Sequence, residues 1–464
     1  MREGGAMCLI GCERGSAVFA AVGIMLVLTI LGVGAFTVSQ NTLTATGRER
    51  NSSIALAIAD AGIDQAVWRL DASGSLPSSM TVTTDQGSAE VSVTALENSE
   101  WQIVSRGHTN VAPGITRAVK VSVFSLSLWN FVMASSLTAG GGGLVGNTSV
   151  YGPFYVRGGV TLSGNSEVQK GPFFVKDGDI SLTGNGKVGT TTNLVYVYND
   201  GNHPVPGSKN FYVKFSNNCP DLYLPPMRQG ELQALENLAA TESADCLMGS
   251  TEITNTEPQP DSNGHAPGAL AGYYKIVDTD RNVGTLGAGS NPLVINATTP
   301  SWGVSTHGSG EDFAWDQATR TLYVKGTVFV DGPVTFGCNI NYEGNGALVA
   351  NGNILVTGLI RPVGPYPNDD VLGLVTPGEI RFTVSGSNDS NPDNADIWGA
   401  YFATNQIRID QNVSIRGSML TGLLNFAHPN GHLFSDQQLP EYLPESMPGS
   451  TQRFTYMGSW REVH

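Results

Sequence analysis

Between Arg14 and Arg48 the chain carries no charged side chain, and the centre of that interval reads SAVFAAVGIMLVLTILGVGAF. Residues 17–38, wound as a helix at about 1.5 Å per residue, would span roughly 33 Å, enough to cross a hydrocarbon core. An ordinary secretory signal has a shorter apolar core followed by a small-residue cleavage site. Here the run is longer, and helical periodicity continues beyond it. Gly23, Gly32 and Gly34 would permit close helix contact. Leu9-Ile10-Gly11-Cys12 has the look of a lipoprotein box, but such a box follows the apolar segment and this one precedes it. The expectation is a chain anchored by its N-terminal end, with the rest displayed outside a membrane.

Composition narrows what that remainder can be. Asp and Glu number 40 against 25 Lys and Arg, a formal charge of −15, yet only 14% of residues are charged and 57 are Gly. Low charge density with abundant Gly, Ser, Thr and Asn suits a strand-rich outer surface with many tight turns. Nucleic acid is not an expected partner, because that would require clustered basic residues. A length of 464 residues allows two or three domains.

Past the apolar run, Arg48, Glu49 and Arg50 mark a polar exit. Ile54, Ala55, Ile58, Ala59, Gly62, Ile63, Ala66 and Leu70 then mix spacings of three and four, the pattern of an amphipathic helix. Asp60 and Asp64 fall one turn apart. A single helix from 16 to 70 would be roughly 80 Å long, more than a soluble domain needs and well suited to packing in a fibre. This region resembles the N-terminal part of PilX-type minor pilins, which carry a short leader ending in Gly and a G-x-E-R … A-x-x-A-E-A-G-[IL]-E-x-A signature on a long helix. Gly47, Glu49, Arg50, Ala61, Gly62, Ile63 and Ala66 match it, with Asp60 and Asp64 in place of the usual acids. The resemblance implies cleavage between Gly15 and Ser16 by a prepilin peptidase, insertion in a bacterial inner membrane, and other pilin-like subunits as partners. Two positions depart from it. The fifth mature residue would be Ala20, where major pilins have Glu, and the first would be Ser16 rather than Phe. Without that Glu to pair with a neighbour's amine in hydrocarbon, the resemblance implies a minor, tip or accessory subunit.

After Leu70 the period changes to two. Runs at 80–84, 89–96, 101–105 and 116–126 predict a short antiparallel meander against the helix, the pilin-like head of residues 71–128. Next comes a repeat. Gly152-Pro153-Phe154-Tyr155-Val156-Arg157 is echoed nineteen residues later by Gly171-Pro172-Phe173-Phe174-Val175-Lys176, and Val160–Asn165 in pattern by 180–185. Units near 20 residues with apolar inward positions and Gly corners predict a β-solenoid, with further rungs at 322–330, 334–342, 347–356, 380–384, 397–403, 407–409 and 413–420. The rungs resemble those of bactofilins and right-handed parallel β-helices. A multi-sheet sandwich is the competing arrangement.

The solenoid is expected in two parts, 129–199 and 316–438, separated by an insertion at 200–315 with a short helix at 231–242 and a Pro-rich loop at 256–268. Cys219 and Cys246 flank that helix and could bridge in an exported domain, whereas lone Cys338 fits a buried apolar position. The Pro-spaced segment 439–464 is expected to run along the solenoid and cover its last rung. No catalytic constellation stands out. Asp389, Asp393 and Asp396 form the best acidic cluster; a solvated turn and a Ca²⁺ site both suit it, without the EF-hand spacing. His428 and His432 cannot share a helical face around Pro429 and Gly431. The expected fold is therefore mainly β with a leader at 1–15, a membrane and amphipathic helix at 16–70, a small antiparallel sheet and a β-solenoid. The expected function is non-enzymatic: an accessory pilin-like subunit, with a surface polysaccharide among its candidate partners. A membrane-tethered carbohydrate-active β-helix enzyme and a bactofilin-like scaffold are the alternatives.

Overall fold

The computed structural model describes residues 13–73, 75–96, 100–112, 114–136, 143–144, 146–217, 219–225, 246–248, 253–254, 276–277, 293–299, 301–304, 313–330, 332–387, 389–426, 430–444 and 446–463. The leader before residue 13, the helix expected at 231–242, the loop at 256–268 and His428 lie outside these. The chain forms two compact units, one of residues 1–123 with 457–464 and one of residues 124–456.

In the first unit a single helix, α1 (Glu13–Ser73), runs for 61 residues, about 90 Å. From Val18 to Leu43 its large apolar side chains are 54–82% exposed. Within and just beyond this stretch the hydroxyls of Thr29, Thr37, Thr42 and Thr44 each donate to the carbonyl four residues back, at 2.7–2.9 Å. Those polar groups are thus satisfied within the helix, as a medium without water requires. The helix is long and apolar enough to cross a membrane.

The second half of α1 lies on a sheet. Strands β1 (Ser79–Thr84), β2 (Gly87–Ala95) and β3 (Glu100–Thr109) form an antiparallel meander, followed by β4 (Thr116–Ser127). Ala55, Ile58, Ala59, Ile63, Ala66 and Leu70 face it and are at most 4% exposed. Against them pack Ala89, Val91, Ile103, Val119, Val121 and Val123. The period-two runs become strands for the expected reason: alternate residues are covered by the helix. Arg453–Val463 joins as a fifth strand beside β4, with Arg117 bonded to Glu462 at 2.6 Å.

The second unit is a β-solenoid with three faces. On the first face Thr321–Val324, Ile340–Glu343, Ile360–Pro362, the starts of Ile397–Ile409 and Ile415–Phe426, His432–Phe434, Ser149–Tyr151, Glu167–Lys170 and Lys187–Val188 stack in parallel. The second face stacks Cys246–Met248, Gly326–Val330, Asn345–Ala350, Val371–Thr376, the middles of the same two long strands, Met133–Ser135, Phe154–Arg157, Phe173–Lys176, Val195–Asn199 and Val213–Ser216. The third carries Leu293–Ile295, Val334–Phe336, Ile354–Val356, Glu379–Phe382 and the ends of the two long strands, then separately Gly143–Leu144, Val160–Leu162 and Ile180–Leu182.

The stacking order differs from the chain order. The chain coils outward from Met133 to Ser216, and its next pass begins at the opposite end of the stack and returns to dock on the first coil. Leu433 pairs in register with Val150, and Met419 with Met133. One coil is therefore composite: His432–Phe434 supplies its first face, and Met133–Ser135 with Gly143–Leu144 supply the other two. Corner asparagines bridge the junction. Asn430 N donates to Asn412 Oδ1 at 3.1 Å and Asn147 N to Asn430 Oδ1 at 3.0 Å; the Nδ2 groups of Asn165 and Asn185 continue the row at 2.8 and 2.9 Å. Gly146, Gly164 and Gly184 precede three of these with φ of +65° to +72°, and a Cβ on Gly164 would lie 2.6 Å from Gly146 O.

The repeated Gly-Pro-Phe motif now has a physical reading. Phe154 and Phe173 point inward and stack at 5.1 Å, while Tyr155 and Phe174 point outward, Phe174 stacking on Tyr198 at 4.9 Å. That outward layer is covered by residues 128–131, 219–224 and 439–447. Trp129 Nε1 donates to Pro448 O at 3.1 Å, Asn345 Nδ2 to Tyr442 O at 2.7 Å, and Met447 sits where a Cβ on Gly373 would meet its sulfur. The Pro-spaced C-terminal segment thus covers a lateral face rather than the last rung. The outer side of that face is as apolar as a core strand and requires a lid.

Candidate functional site

Two places in the chain concentrate features beyond fold maintenance. The first is the signature on α1. Gly62 sits where a Cβ would fall 2.3 Å from Ser105 Oγ and 2.9 Å from Ala89 Cβ, and Gly107 on β3 presses on the helix backbone itself, with a Cβ there 2.0 Å from Ala55 O. Ile63 and Ala66 are buried beside Gly62; Ala61 and Asp60 are half-buried, and Asp64 is exposed. Gly47, Glu49 and Arg50 are exposed on the stretch between the apolar run and the sheet. The structure thus divides the signature: Gly62, Ile63 and Ala66 lie in the seam between helix and sheet, whereas Gly47, Glu49, Arg50 and Asp64 face outward. Gly15 and Ser16 lie within α1, whose described side chains begin after them.

The second place is on the outer side of the first solenoid face. Ile360, Ile397 and Ile415 are stacked in register and point into the core. The next residue of each strand points out: Arg361, Trp398 and Arg416 on adjacent coils, with Trp398 and Arg416 in direct register. With Pro362, Gly364, Pro365, Tyr366 and Asp393 they line a cavity of about 450 Å³. Trp398 and Tyr366 meet at 86° with centroids 5.3 Å apart. The Arg416 guanidinium lies 4.5 Å over Trp398 and 5.6 Å from the Tyr366 ring. The row continues to Phe434 and Tyr151, stacked at 4.9 Å.

Each carboxylate near this cavity is held by a defined partner. Arg416 Nη1 donates to Asp393 at 2.7 Å, and its Nε and Nη2 to Asp436 at 3.2 and 2.9 Å. Asp396, 1% exposed, accepts from the backbone of Ser387 and Ser414 at 3.0–3.1 Å and lies 3.6 Å from Arg361. Asp389 accepts from Asn391 N and Asn394 Nδ2 at 2.9 Å, and these bonds hold its pKa below the ordinary carboxylate value. The three acids expected to cluster therefore go separate ways: one tightens its own loop, one pairs with Arg416, and one is buried as a loop anchor. Among the described residues no group of three His, Cys, Asp or Glu could hold a metal ion. The Tyr366 ring faces the cavity but its hydroxyl is buried, and burial, with Asp436 nearby, pushes its pKa well up.

Cys219 is buried, and burial pushes its thiol up to about 12; the side chain of Cys246 lies outside those described. Cys338 is half-buried rather than fully enclosed. His432 is half-buried beside the stacked Tyr151 and Phe434, with burial lowering its pKa.

Arg361, Tyr366, Trp398 and Arg416 escaped the sequence reading. Their signal was nevertheless present, in the triplets Ile360-Arg361-Pro362, Ile397-Trp398-Gly399 and Ile415-Arg416-Gly417. Unequal loops between the triplets conceal the alignment until the strands are stacked.

No family model matches the chain, and no curated protein matches it. Among solved structures, the crystal structure of the competence-associated pilin ComZ from Thermus thermophilus is similar at 14% identity and a TM-score of 0.48, over 89% of this chain and 98% of that one. At that identity and score the likeness carries no function from one chain to the other.

Proposed function

We propose that the chain is a non-enzymatic, pilin-like accessory protein of the bacterial envelope, which uses its helix for assembly and displays its solenoid outside the membrane. The observation that carries this reading is the division of α1. Its first half is a continuous apolar surface with its threonine hydroxyls bonded back to the helix, and its second half is seated on a sheet through Ala and Gly. Such a helix suits insertion in the inner membrane and subsequent packing against the helices of other pilin-like subunits. Prepilin peptidase would cut between Gly15 and Ser16. With Ala20 where a pairing carboxylate would sit, a terminal or accessory place in a filament fits better than a repeated one. The carboxylates around the cavity are tied to arginines or loop amides, which favours binding or structural work over acid–base chemistry.

The test is the intact mass and N-terminal sequence of membrane-extracted protein from cells with and without active prepilin peptidase. A peptidase-dependent start at Ser16 is expected. An uncut chain, or one cut beyond the apolar run, would overturn the pilin reading.

A further inference from the structure

We propose that the cavity lined by Arg361, Tyr366, Trp398 and Arg416 binds a neutral pyranose unit of a surface polysaccharide. The proposal deepens the functional reading in one respect, since it rests on the solenoid being displayed outside the membrane. A pyranose ring presents a flat C–H face and a rim of hydroxyls that each donate and accept. A site for it therefore combines an aromatic or proline wall with fixed donors and acceptors, and little net charge.

The cavity has these parts. Its volume of about 450 Å³ falls within the range of about 300–1,000 Å³ typical of small-molecule sites. Trp398 and Tyr366 make a right-angled corner, flanked by Pro362 and Pro365. Arg416 is fixed by Asp436 and Asp393 with three of its donors used, so the remaining N–H groups of its fork keep a set direction. Asp393, its side chain 74% exposed, offers carboxylate oxygen at the rim, and Arg361 is anchored through Nη2 to Asn394 O at 3.2 Å. Arg361, Trp398 and Arg416 stand at matching positions on stacked strands, so the site is preorganised by the backbone ladder.

Charge selects the class of sugar. Two guanidiniums face Asp393, Asp396 and Asp436 in a chain of formal charge −15. No positive surplus remains to hold a uronate or a phosphate. A purely apolar ligand would displace water from the arginine and aspartate rim without replacing its hydrogen bonds.

The experiment is equilibrium binding of purified full-length chain in detergent to dextran, mannan and galactan fragments, with polygalacturonate as the acidic probe, at about 0.15 M and about 1 M salt. At least one neutral probe is expected to bind equally at both salt concentrations. Trp398→Ala should weaken it about tenfold or more, with Arg361→Gln as the second variant because its side chain is 41% exposed and stands on the outer side of the strand. Absence of neutral binding up to millimolar concentrations would overturn the proposal. So would binding confined to polygalacturonate and lost at high salt, or neutral binding that survives both substitutions. Because binding is read on the isolated chain, this proposal and filament assembly fail separately.

Discussion

Replacing Gly107 by alanine probes the seam between α1 and the sheet. The added Cβ would lie 2.0 Å from Ala55 O and 2.7 Å from Ala59 N, both atoms of the helix backbone, so no side-chain rotation relieves the clash. Ordinary contact begins near 3.4 Å, so α1 would have to withdraw by about 1.4 Å, more than enough to forfeit half of the dispersion energy across the seam. Ala55, Ile58, Ala59, Ile63, Ala66 and Leu70 all lie in that seam. Overpacking of this kind costs about 1–3 kcal/mol, offset by the roughly 0.5–1 kcal/mol that alanine gains over glycine in a strand. At the midpoints of these ranges the net loss is about 1 kcal/mol, which corresponds to a fall of roughly 4–8 °C in the melting of this unit. Calorimetry of the full chain, with amide exchange over residues 55–70, reads both effects. Gly114→Ala, around which the space is open, should stay within about 0.5 kcal/mol. Unchanged melting and unchanged exchange in the Gly107 variant would refute the close-packed seam.

Leu433→Ala removes a buried side chain from the composite coil, where Leu433 meets Val150; a loss of about 2–5 kcal/mol is expected in urea denaturation, and no shift in midpoint would mean the two passes are not joined there. Asn147→Ala should cost about 0.5–1.5 kcal/mol by removing the acceptor of Asn165 Nδ2, read as faster exchange of the Asn165 side-chain amide, whereas the backbone bond from residue 147 to Asn430 Oδ1 is retained. Burial alone would raise Asp410, but hydrogen bonds from Arg408 and Arg381 outweigh it and hold the carboxyl low. The stabilisation it supplies is therefore complete above the unfolded value of about 3.9 and lost as pH falls through the lower folded value, so Asp410→Asn should flatten the acid end of a stability titration. His432 acts in the same direction, over a higher pH range. Burial lowers its pKa in the fold, so stability should decline as pH drops below the unfolded value of about 6.5, and His432→Phe should remove that slope.

Elements with a local signal were legible in the residues alone. The uncharged run from Ala17 to Val38 could only be a long helix, because its backbone must satisfy itself wherever water is excluded. The Ala and Gly positions at three- and four-residue spacing gave its buried stripe, and alternation gave the meander, since each period follows from where successive side chains point. The Gly-Pro-Phe repeat and the Gly-Asn corners announced stacked coils. The nearest solenoid neighbours of Met133, however, are Met419 and Phe154, and only the second is close in sequence. Parallel backbone pairing is indifferent to chain distance, so nothing local marks where one pass docks on the other. The same holds for Arg453–Val463 in the sheet, for residues 439–447 on a lateral face, and for the row of Arg361, Trp398 and Arg416. Each is a contact between distant parts of the chain, decided by which apolar surfaces must be covered and, for the strands, by the register that covers them.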